Sequence, residues 1–367
     1  MNARGPGNER VLVCLLAKTR SHDVTFPLFK RHVLDELQAD LAVALTIDGH
    51  YDYGNPYWQH ARYRWTSPDY ADYGEGFDFA QQRLCSERAL APRPWRSVLR
   101  LQGVWAGRIK MPEPRESASA ILPYCRWLLL DGLRRDGLLD RYDRFIISRS
   151  DFRWTSPHPP LSILDPEAIW VPDGEHWGGV NDRHAVVSRQ HIETFLDGLE
   201  DILLEPDALY EEMKHHDGWN EEQFLAHHLR RRHLLGAVKV FPYVMYTARS
   251  RRDRSPTWTY GRFDPDVGHY VKYETEFRSA TALASLIRSR ADWEKGAWRQ
   301  VDVMALPVEP IRRSLWQRLV YWYARAEEQL WRPGRMQRLA RLLRRAPVAA
   351  VKAGSPTHVR WSRDRAT

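Results

Sequence analysis

Charged side chains stand together at three places in the sequence where they could bind a phosphate group or move a proton. The first is Arg149-Ser150-Asp151, which follows the short apolar run FIIS at residues 145–148. A carboxylate at the end of such a strand could bind a divalent cation or accept a hydrogen bond from a ribose hydroxyl, and the neighbouring arginine could pair with phosphate. A turn-capping aspartate beside a surface ion pair is the alternative interpretation of so short a motif.

The second place is the loop WGGVNDRH at residues 177–184, which precedes the apolar run AVV. Its two glycines would let the backbone approach a ligand closely, and Trp177 offers an apolar face on which a sugar ring can stack. Asp182 is a candidate general base that would deprotonate an attacking hydroxyl group. The alternative is an Asx-type turn that only packs its tryptophan.

The third place is Asn220-Glu221-Glu222, where two acids begin a segment with helical spacing. Acids in the first turn of a helix are expected from the helix dipole alone, so a purely structural role is the alternative. The adjacent histidine pairs near residues 215 and 227 do not predict a metal site, because neighbouring side chains on a helix point about 100° apart. Three cysteines without a CxxC motif predict neither a disulfide framework nor a thiolate zinc site.

These side chains need a framework, and the sequence predicts an α/β one. Val11–Leu16 is an apolar run typical of a strand buried on both faces, residues 26–38 have helical spacing, and residues 39–48 predict a second strand that ends at Asp48. A strand, a helix and a strand in that order form a βαβ unit. Residues 49–79 are rich in Tyr, Trp, Asp, Gly and Pro, which predicts a long loop or insertion that could line a site.

The alternation of helices and strands continues along the chain. Further helices are predicted over residues 117–139, 191–204 and 220–235, and further strands over 142–148, 168–172, 185–187 and 238–245, whereas residues 255–310 have no clear pattern. Ligands of open α/β sheets bind at the carboxyl ends of the strands. Asp151 is therefore expected at an edge of the sheet where a ligand would lie.

The composition bounds the class of protein. The chain has 367 residues with 43% apolar side chains and a net charge of +8, which is enough apolar content for one large core or two ordinary ones. No run approaches the roughly 18–20 apolar residues of a membrane span, and the first ten residues lack the apolar region of a signal peptide. We therefore expect a cytosolic protein, either soluble or peripheral to a membrane.

The positive charge is concentrated in the C-terminal region. Residues 311–367 hold 14 Arg and Lys side chains against three acids, so residues 1–310 are slightly acidic, which argues against a nucleic-acid-binding core. Within residues 311–345, aromatic and leucine side chains are interleaved with arginines at helical spacing, a pattern typical of an amphipathic helix on an anionic membrane surface. A helix packed on the protein's own body and an RNA-binding arm are the alternatives.

The succession of these motifs resembles a known family. YDRFIISRSDFRW, IWVPDGEHWGGVNDRHAVVSR and WNEEQFLAHHL, followed by VKVFPYVMYTAR, have the order and spacing of GT-A-like glycosyltransferases of bacterial surface-polysaccharide synthesis. In those proteins a strand ends in RxD in place of DxD, a GGxNDxxA loop follows, and a helix that begins with acids precedes the last strand of the core. The likeness covers roughly residues 10–250.

The resemblance implies an α/β, GT-A-like fold with a mixed, mostly parallel sheet flanked by helices over residues 10–305. Residues 1–9 are expected to be disordered, and residues 306–367 to form a basic amphipathic helical extension. The implied function is transfer of a sugar from a nucleotide-sugar donor to a hydroxyl of a glycan or lipid-linked acceptor, at the inner face of the cytoplasmic membrane. A carbohydrate-binding or membrane-surface scaffold protein without turnover is the alternative, and no nucleic-acid partner is expected.

The resemblance also implies roles for individual residues. The donor would be bound by Arg20, Arg149, Asp151 and Asp48. The acceptor would be bound by Trp177, Asn181, Arg183, His184 and Glu221. Asp182 would act as the base, with Asp151 and Glu222 completing the catalytic group. Mn²⁺ or Mg²⁺ would bind at Asp151, but RSD supplies one carboxylate where DxD supplies two, so metal dependence stays open, as do the stereochemistry, the donor sugar and the acceptor.

Overall fold

The computed structural model describes residues 9–216, 218–250, 261–296 and 298. Its strands are β1 Val11–Leu16, β2 Asp40–Ile47, β3 Tyr63–Pro68, β4 Arg144–Ser148, β5 Phe152–Trp154, β6 Ile169–Asp173, β7 Ala185–Ser188, β8 Val238–Pro242, β9 Met245–Arg249, β10 Arg262–Asp264 and β11 His269–Val271. Seven of them form the main sheet in the order β3-β2-β1-β4-β7-β6-β8.

The main sheet is mixed but mostly parallel. The neighbouring pairs from β3 to β4 and the pair β6 and β8 run parallel, whereas β7 runs antiparallel to both β4 and β6. Helices flank this sheet on both faces. The predicted α/β architecture, a mixed and mostly parallel sheet flanked by helices, is therefore confirmed.

The helices are α1 His22–Phe29, α2 Pro56–His60, α3 Tyr73–Arg88, α4 Ile121–Arg135, α5 Ile192–Leu196, α6 Gly198–Leu204, α7 Pro206–Met213, α8 Glu221–Arg231, α9 Glu274–Ala284 and α10 Arg290–Glu294. Short helical elements of other pitch occupy residues 30–35, 95–100, 161–163 and 235–237. Within the described residues no helix is long and apolar enough to cross a membrane.

The central strand β1 is buried along its whole length because both faces of the sheet are covered. Alternate side chains point to opposite faces of a strand. Leu12 and Cys14 therefore pack into one core with Leu129 of α4, and Val13 packs into a second core with Phe29 of α1. A continuous apolar run, with no polar side to expose, is the sequence pattern that such a position requires.

A smaller sheet stands beside the main one, in the order β10-β11-β9-β5. Its strand β5 begins at Phe152, directly after Asp151, and pairs antiparallel with β9. The backbone amide of Ala248 in β9 donates to the carbonyl oxygen of Asp151 at 2.9 Å. The chain thus leaves the main sheet at Ser148 and enters the second sheet at Phe152, with the RSD motif between the two.

The structure differs from the sequence-based expectation in several places. Residues 49–79, predicted as a loop or insertion, contain α2, the edge strand β3 and the beginning of α3. The single strand predicted over 238–245 is two strands, because the chain turns after Pro242 from the main sheet into the second sheet. The helix predicted over 117–139 begins only at Ile121. The basic region 306–367 lies outside the described residues.

Candidate active site

A cleft of about 310 Å³ opens at the edge of the main sheet where β1 and β4 end. Residues from the loop after β1, the RSD motif, the loop before β7, the start of α8 and the second sheet all line it. Because β7 runs antiparallel to β4, the residues that precede β7 lie at the same edge as those that follow β4. The topology therefore brings Arg20, Arg149 and Asp182 together from distant parts of the chain.

The charged side chains that line this cleft form a basic group and an acidic group. Its basic lining residues are Lys18, Arg20, Arg149, Arg183, Arg249 and Lys272. Its acidic lining residues are Asp182, Glu221 and Glu222. Most of the basic side chains follow β1, β4, β9 and β11, whereas the acids precede β7 or begin α8. An anionic ligand group and a hydroxyl group that must lose a proton could thus be held in the same cleft.

Asp151 lies behind the basic side of the cleft and does not line it. Its carboxylate is 3% exposed and accepts from Arg149 Nε at 3.0 Å and from Arg149 Nη2 at 2.8 Å. Arg249 Nη1 also donates to it. Burial alone would raise the pKa of Asp151, but the two guanidinium groups outweigh that effect and hold the pKa well below its usual range.

The surroundings of Asp151 do not fit a divalent cation. Both carboxylate oxygens are already hydrogen-bonded to arginines, and the two guanidinium charges would repel a cation. Within the described part of the chain, no group of three or more His, Cys, Asp and Glu side chains is arranged to hold a metal ion. The sequence-based assignment of a metal to Asp151 therefore does not agree with the geometry, and the side chain's observed contacts are those of a residue that orients arginines.

Lys272 lies in the same basic group, just after β11. Burial and the nearby positive charges of Arg149 and Arg249 lower the pKa of Lys272 to about 7. The loss of hydration and the repulsion between like charges both favour the neutral amine. An anion in the cleft would offset both effects, so the unliganded site is poised to bind negative charge.

The acidic side of the cleft contains Asp182, which is partly buried. Its Oδ1 atom has no hydrogen-bond partner among the described residues, although it is shielded from solvent. An unpartnered carboxylate oxygen next to a cleft is available to accept a proton or a hydrogen bond from a ligand. The geometry therefore suits Asp182 to contact a hydroxyl group.

Glu222 lies beside Asp182 in the first turn of α8. Burial and the negative charge of Asp182 raise the pKa of Glu222 to about 8. Glu222 is thus mostly protonated at neutral pH, where it would donate a hydrogen bond. A protonated carboxyl group beside Asp182 adds a hydrogen-bond donor to this part of the cleft.

Helix α8 is fixed at its first turn by a capping box. The side chain of Asn220 accepts from the backbone amide of Gln223 at 2.8 Å, and the side chain of Gln223 accepts from the amide of Asn220 at 3.2 Å. Asn220 Nδ2 also donates to the carbonyl oxygen of Trp177 at 2.9 Å. Asn220 therefore begins the helix that carries Glu221 and Glu222. It also holds the loop of residues 177–184, the glycine loop, against that helix.

The glycine loop packs directly on that first turn. A Cβ atom at Gly179 would lie 2.0 Å from the carbonyl oxygen of Glu222, so no larger residue fits without moving one of the two segments. Trp177 is 55% exposed, and its ring centroid lies 6.3 Å from that of Tyr273, which also lines the cleft. The two aromatic rings offer an apolar face at the cleft for a ring-shaped ligand.

Besides Asp151, three of the residues that the sequence predicted for the site do not line the cleft. Asp48 is exposed and pairs with Lys18 at 3.0 Å. Asn181 is buried, and its amide donates to the carbonyl oxygen of Gly174 at 2.9 Å. His184 is buried against Trp154, with its Nδ1 atom 3.0 Å from Ser148 Oγ. These contacts stabilise the loop and the core, so none of the three side chains lines the proposed ligand site in this structure.

Arg183 and Glu221 line the cleft but are also tied into buried ion pairs. Arg183 pairs with Glu276 of α9, and Arg126 of α4 donates to Glu221 at 2.7 Å. The second guanidinium nitrogen of Arg126 donates to the carbonyl oxygen of Asp182 at 3.2 Å. These contacts couple the walls of the cleft to the surrounding helices.

The sequence did not predict Arg126, Arg249, Lys272 or Tyr273 as site residues. Arg249 follows the apolar segment VMYTA, so its position at the end of a strand was a detectable signal. Lys272 and Tyr273 follow β11, whose three residues are too few to show a periodicity. Arg126 is hidden in the pattern of α4, where an arginine normally faces solvent.

Comparison with known proteins gives limited information. No protein-family model and no curated protein matches the sequence. One matching solved structure is mouse xyloside xylosyltransferase 1 in its apo form, with a TM-score of 0.36 and 9% sequence identity, over 64% of this chain and 86% of that chain. A match at that level indicates nothing about activity, which must be inferred from the chemistry of the cleft.

Proposed function

We propose that the cleft binds a nucleotide-sugar donor and transfers its sugar to a hydroxyl group of an acceptor. The observation that carries the proposal is the presence of a basic group, an acidic group and two aromatic rings in the lining of one cleft. A nucleotide sugar combines an anionic diphosphate with a sugar ring, and its acceptor must lose a proton. Those are the chemical groups for which the three parts of the cleft are suited.

In the proposed reaction, the acceptor hydroxyl oxygen attacks the anomeric carbon of the donor. The bond between that carbon and the diphosphate oxygen breaks, and its electron pair leaves with the nucleoside diphosphate. The hydroxyl proton passes to the carboxylate of Asp182, which holds an unpartnered oxygen for it. Arginine side chains such as Arg20 and Arg149 stabilise the charge that develops on the leaving diphosphate.

Other side chains would orient the two substrates. Trp177 and Tyr273 would hold the sugar ring by stacking against it. Glu222, protonated at neutral pH, would donate a hydrogen bond to a sugar or acceptor oxygen. This role keeps a second negative charge away from Asp182 while the latter takes up the proton.

Purified protein incubated with a panel of nucleotide sugars and simple glycan acceptors tests the proposal. We expect release of a nucleoside diphosphate that depends on the acceptor. Asp182→Asn should lower kcat by roughly 10²- to 10⁴-fold, because general-base catalysis typically contributes that much. The donor KM should change little. Lys239→Gln, a surface substitution on β8 at an ion pair with Asp165, is the charge-changing control.

The result also separates the proposal from a non-catalytic carbohydrate-binding protein. Such a protein would bind glycans equally well before and after the Asp182→Asn substitution, and it would release no diphosphate from any donor. Glycan binding by both the wild type and the Asp182→Asn variant, without turnover, would contradict the proposed transfer reaction.

We further propose that the acceptor is lipid-linked and belongs to surface-polysaccharide synthesis, with the enzyme at the inner face of the cytoplasmic membrane. This proposal rests on the basic and aromatic sequence of residues 311–345, which lie outside the described residues. Removing residues 311–367 should release the protein from anionic vesicles and leave donor binding intact. Equal vesicle binding by the truncated and full-length chains would contradict it.

A further inference from the structure

We propose that side-chain cations, rather than a divalent metal ion, bind the donor diphosphate, and that Asp151 is a positioning residue which holds two of those cations in place. The inference rests on the proposed function, since it names how the same site holds its anionic ligand. It departs from the metal-bound arrangement that a strand-end carboxylate suggests from sequence.

Asp151 contacts two arginines that line the cleft but does not line the cleft itself. Its carboxylate is 3% exposed and lies behind the cleft, whereas Arg149 and Arg249 both line the cleft. Arg149 contacts both oxygens of the carboxylate, and Arg249 contacts Oδ2. A guanidinium group has five N–H donors and uses only some of them on one carboxylate. The remaining N–H groups can donate to a second anion.

The side chains around Asp151 carry a net positive charge. Arg149, Asp151 and Arg249 together carry one net positive charge, and Lys272 adds a further charge when an anion favours its protonated form. Arg20 lines the same side, and its backbone amide is anchored by a 2.8 Å hydrogen bond to Ser150 Oγ. A diphosphate bound here would be neutralised by charges that the protein itself supplies.

The carboxylate of Asp151 offsets the repulsion between the two arginines that it contacts. Arg149 and Arg249 come from different sheets, and two guanidinium groups this close would repel each other without an intervening negative charge. Asp151 removes that repulsion and fixes both side chains before a ligand arrives. Pre-organised charges of this kind lose little further freedom on binding, which favours tight association.

Calorimetric titration with inorganic pyrophosphate tests the inference without depending on turnover. We expect the wild-type protein to bind pyrophosphate in the presence of EDTA, with an affinity that excess Mg²⁺, which itself complexes pyrophosphate, does not increase. Lys272→Gln and Arg149→Gln should each weaken binding by about tenfold, the effect of removing one charged hydrogen-bond donor. Lys239→Gln should leave the Kd unchanged.

Other outcomes overturn the inference in distinct ways. Binding that requires Mg²⁺, or an absence of pyrophosphate binding in both buffers, contradicts the metal-free site. Equal affinity in Lys272→Gln, Arg149→Gln and the wild type shows that the anion binds elsewhere. If Arg149→Gln does not fold, two measurements still decide the question. One is the comparison of pyrophosphate binding in EDTA and in Mg²⁺ on the wild type, and the other is the pyrophosphate affinity of the milder Arg149→Lys variant.

The test also separates this inference from the proposed function. Pyrophosphate binding in EDTA, without diphosphate release from any nucleotide sugar, leaves the anion site standing and contradicts the transfer reaction. Turnover that stops in EDTA and returns with Mg²⁺ supports the transferase and contradicts the metal-free site. The two failures therefore give different results.

Discussion

Arg126 and Glu221 form an ion pair at 2.7 Å in which the two side chains are only 4% and 5% exposed. The same guanidinium group donates to the carbonyl oxygen of Asp182 at 3.2 Å. One buried arginine of α4 thus joins the loop that carries Asp182 to the first turn of α8. The position of the proposed base depends on a contact that neither its loop nor its strand provides.

The first prediction concerns this ion pair. Arg126→Met would leave Glu221 buried without its partner, and breaking a buried pair from one side typically costs about 3–5 kcal/mol. We expect a loss of that size in the free energy of unfolding, measured by urea titration. Arg126→Met combined with Glu221→Leu should be more stable than Arg126→Met alone, because the buried carboxyl group without a partner is then absent. Two variants of equal stability would contradict a direct coupling.

The second prediction concerns the pH dependence of activity. The pKa of Glu222 is raised to about 8, so the group is neutral below that pH and gains a negative charge above it. If the neutral form is the active one, kcat/KM should fall as the pH rises through about 8. Glu222→Gln imitates the neutral form and should keep most of the activity at neutral pH while losing the part of the alkaline decrease that Glu222 causes near pH 8. An unchanged alkaline limb in Glu222→Gln would assign the titration to another group.

The third prediction concerns Lys272 and proton uptake. The pKa of Lys272 is lowered to about 7 by burial and by Arg149 and Arg249, so much of it is neutral in the free protein above that pH. A bound anion raises this pKa. Anion affinity is therefore greatest below about pH 7 and weakens as the pH rises toward the pKa of the bound state.

Calorimetry at pH values above that point, in two buffers with different ionisation enthalpies, measures the uptake directly. We expect pyrophosphate binding to take up a fraction of a proton in the wild type and less in Lys272→Gln. The charged groups that act on the Lys272 amine are Arg149, Asp151, Arg183 and Arg249. Equal proton uptake in both proteins would show that a different group titrates on binding.

The fourth prediction concerns the packing of the glycine loop. Gly179→Ala would place a Cβ atom 2.0 Å from the carbonyl oxygen of Glu222, so the loop and the start of α8 must separate. Overpacking of this kind typically costs about 1–3 kcal/mol, and the movement would displace Asp182 from Glu222. We expect both stability and activity to fall. Gly49→Ala is the matched control, because a Cβ atom there meets nothing within 4 Å.

The central strands could be predicted from sequence because their burial leaves a plain signal. The prediction for β1 matches the structure residue for residue, since a strand covered on both faces needs an unbroken apolar run. The edge strand β3 was missed because its residues are alternately buried and exposed within a stretch rich in aromatic and turn-forming side chains. The second sheet was missed because β5, β10 and β11 have three residues each, too few for a pattern.

The candidate site could likewise be predicted only in part from the sequence. Arg149 and Asp182 could be placed at one edge of the sheet because sheet topology decides where loops meet. The direction of each side chain could not be predicted: Asn181 and His184 flank the cleft residues Asp182 and Arg183 in sequence, yet they point into the protein. Lys272 enters the cleft only through the second sheet, whose existence no local pattern indicated. The roles of all these residues stay predictions.

The contact of one carboxylate with two arginines from different sheets also limits how this site can evolve. Replacing Arg149 with an acid, the change that would give the motif two carboxylates, would by itself set two negative charges side by side in a buried place. Replacing Arg249 alone would remove the only other partner of Asp151 that the described residues supply as a salt bridge. Positions 149, 151 and 249 are therefore expected to change together among homologues, and a lineage with this triad is separated from a two-carboxylate one by steps that are individually unfavourable.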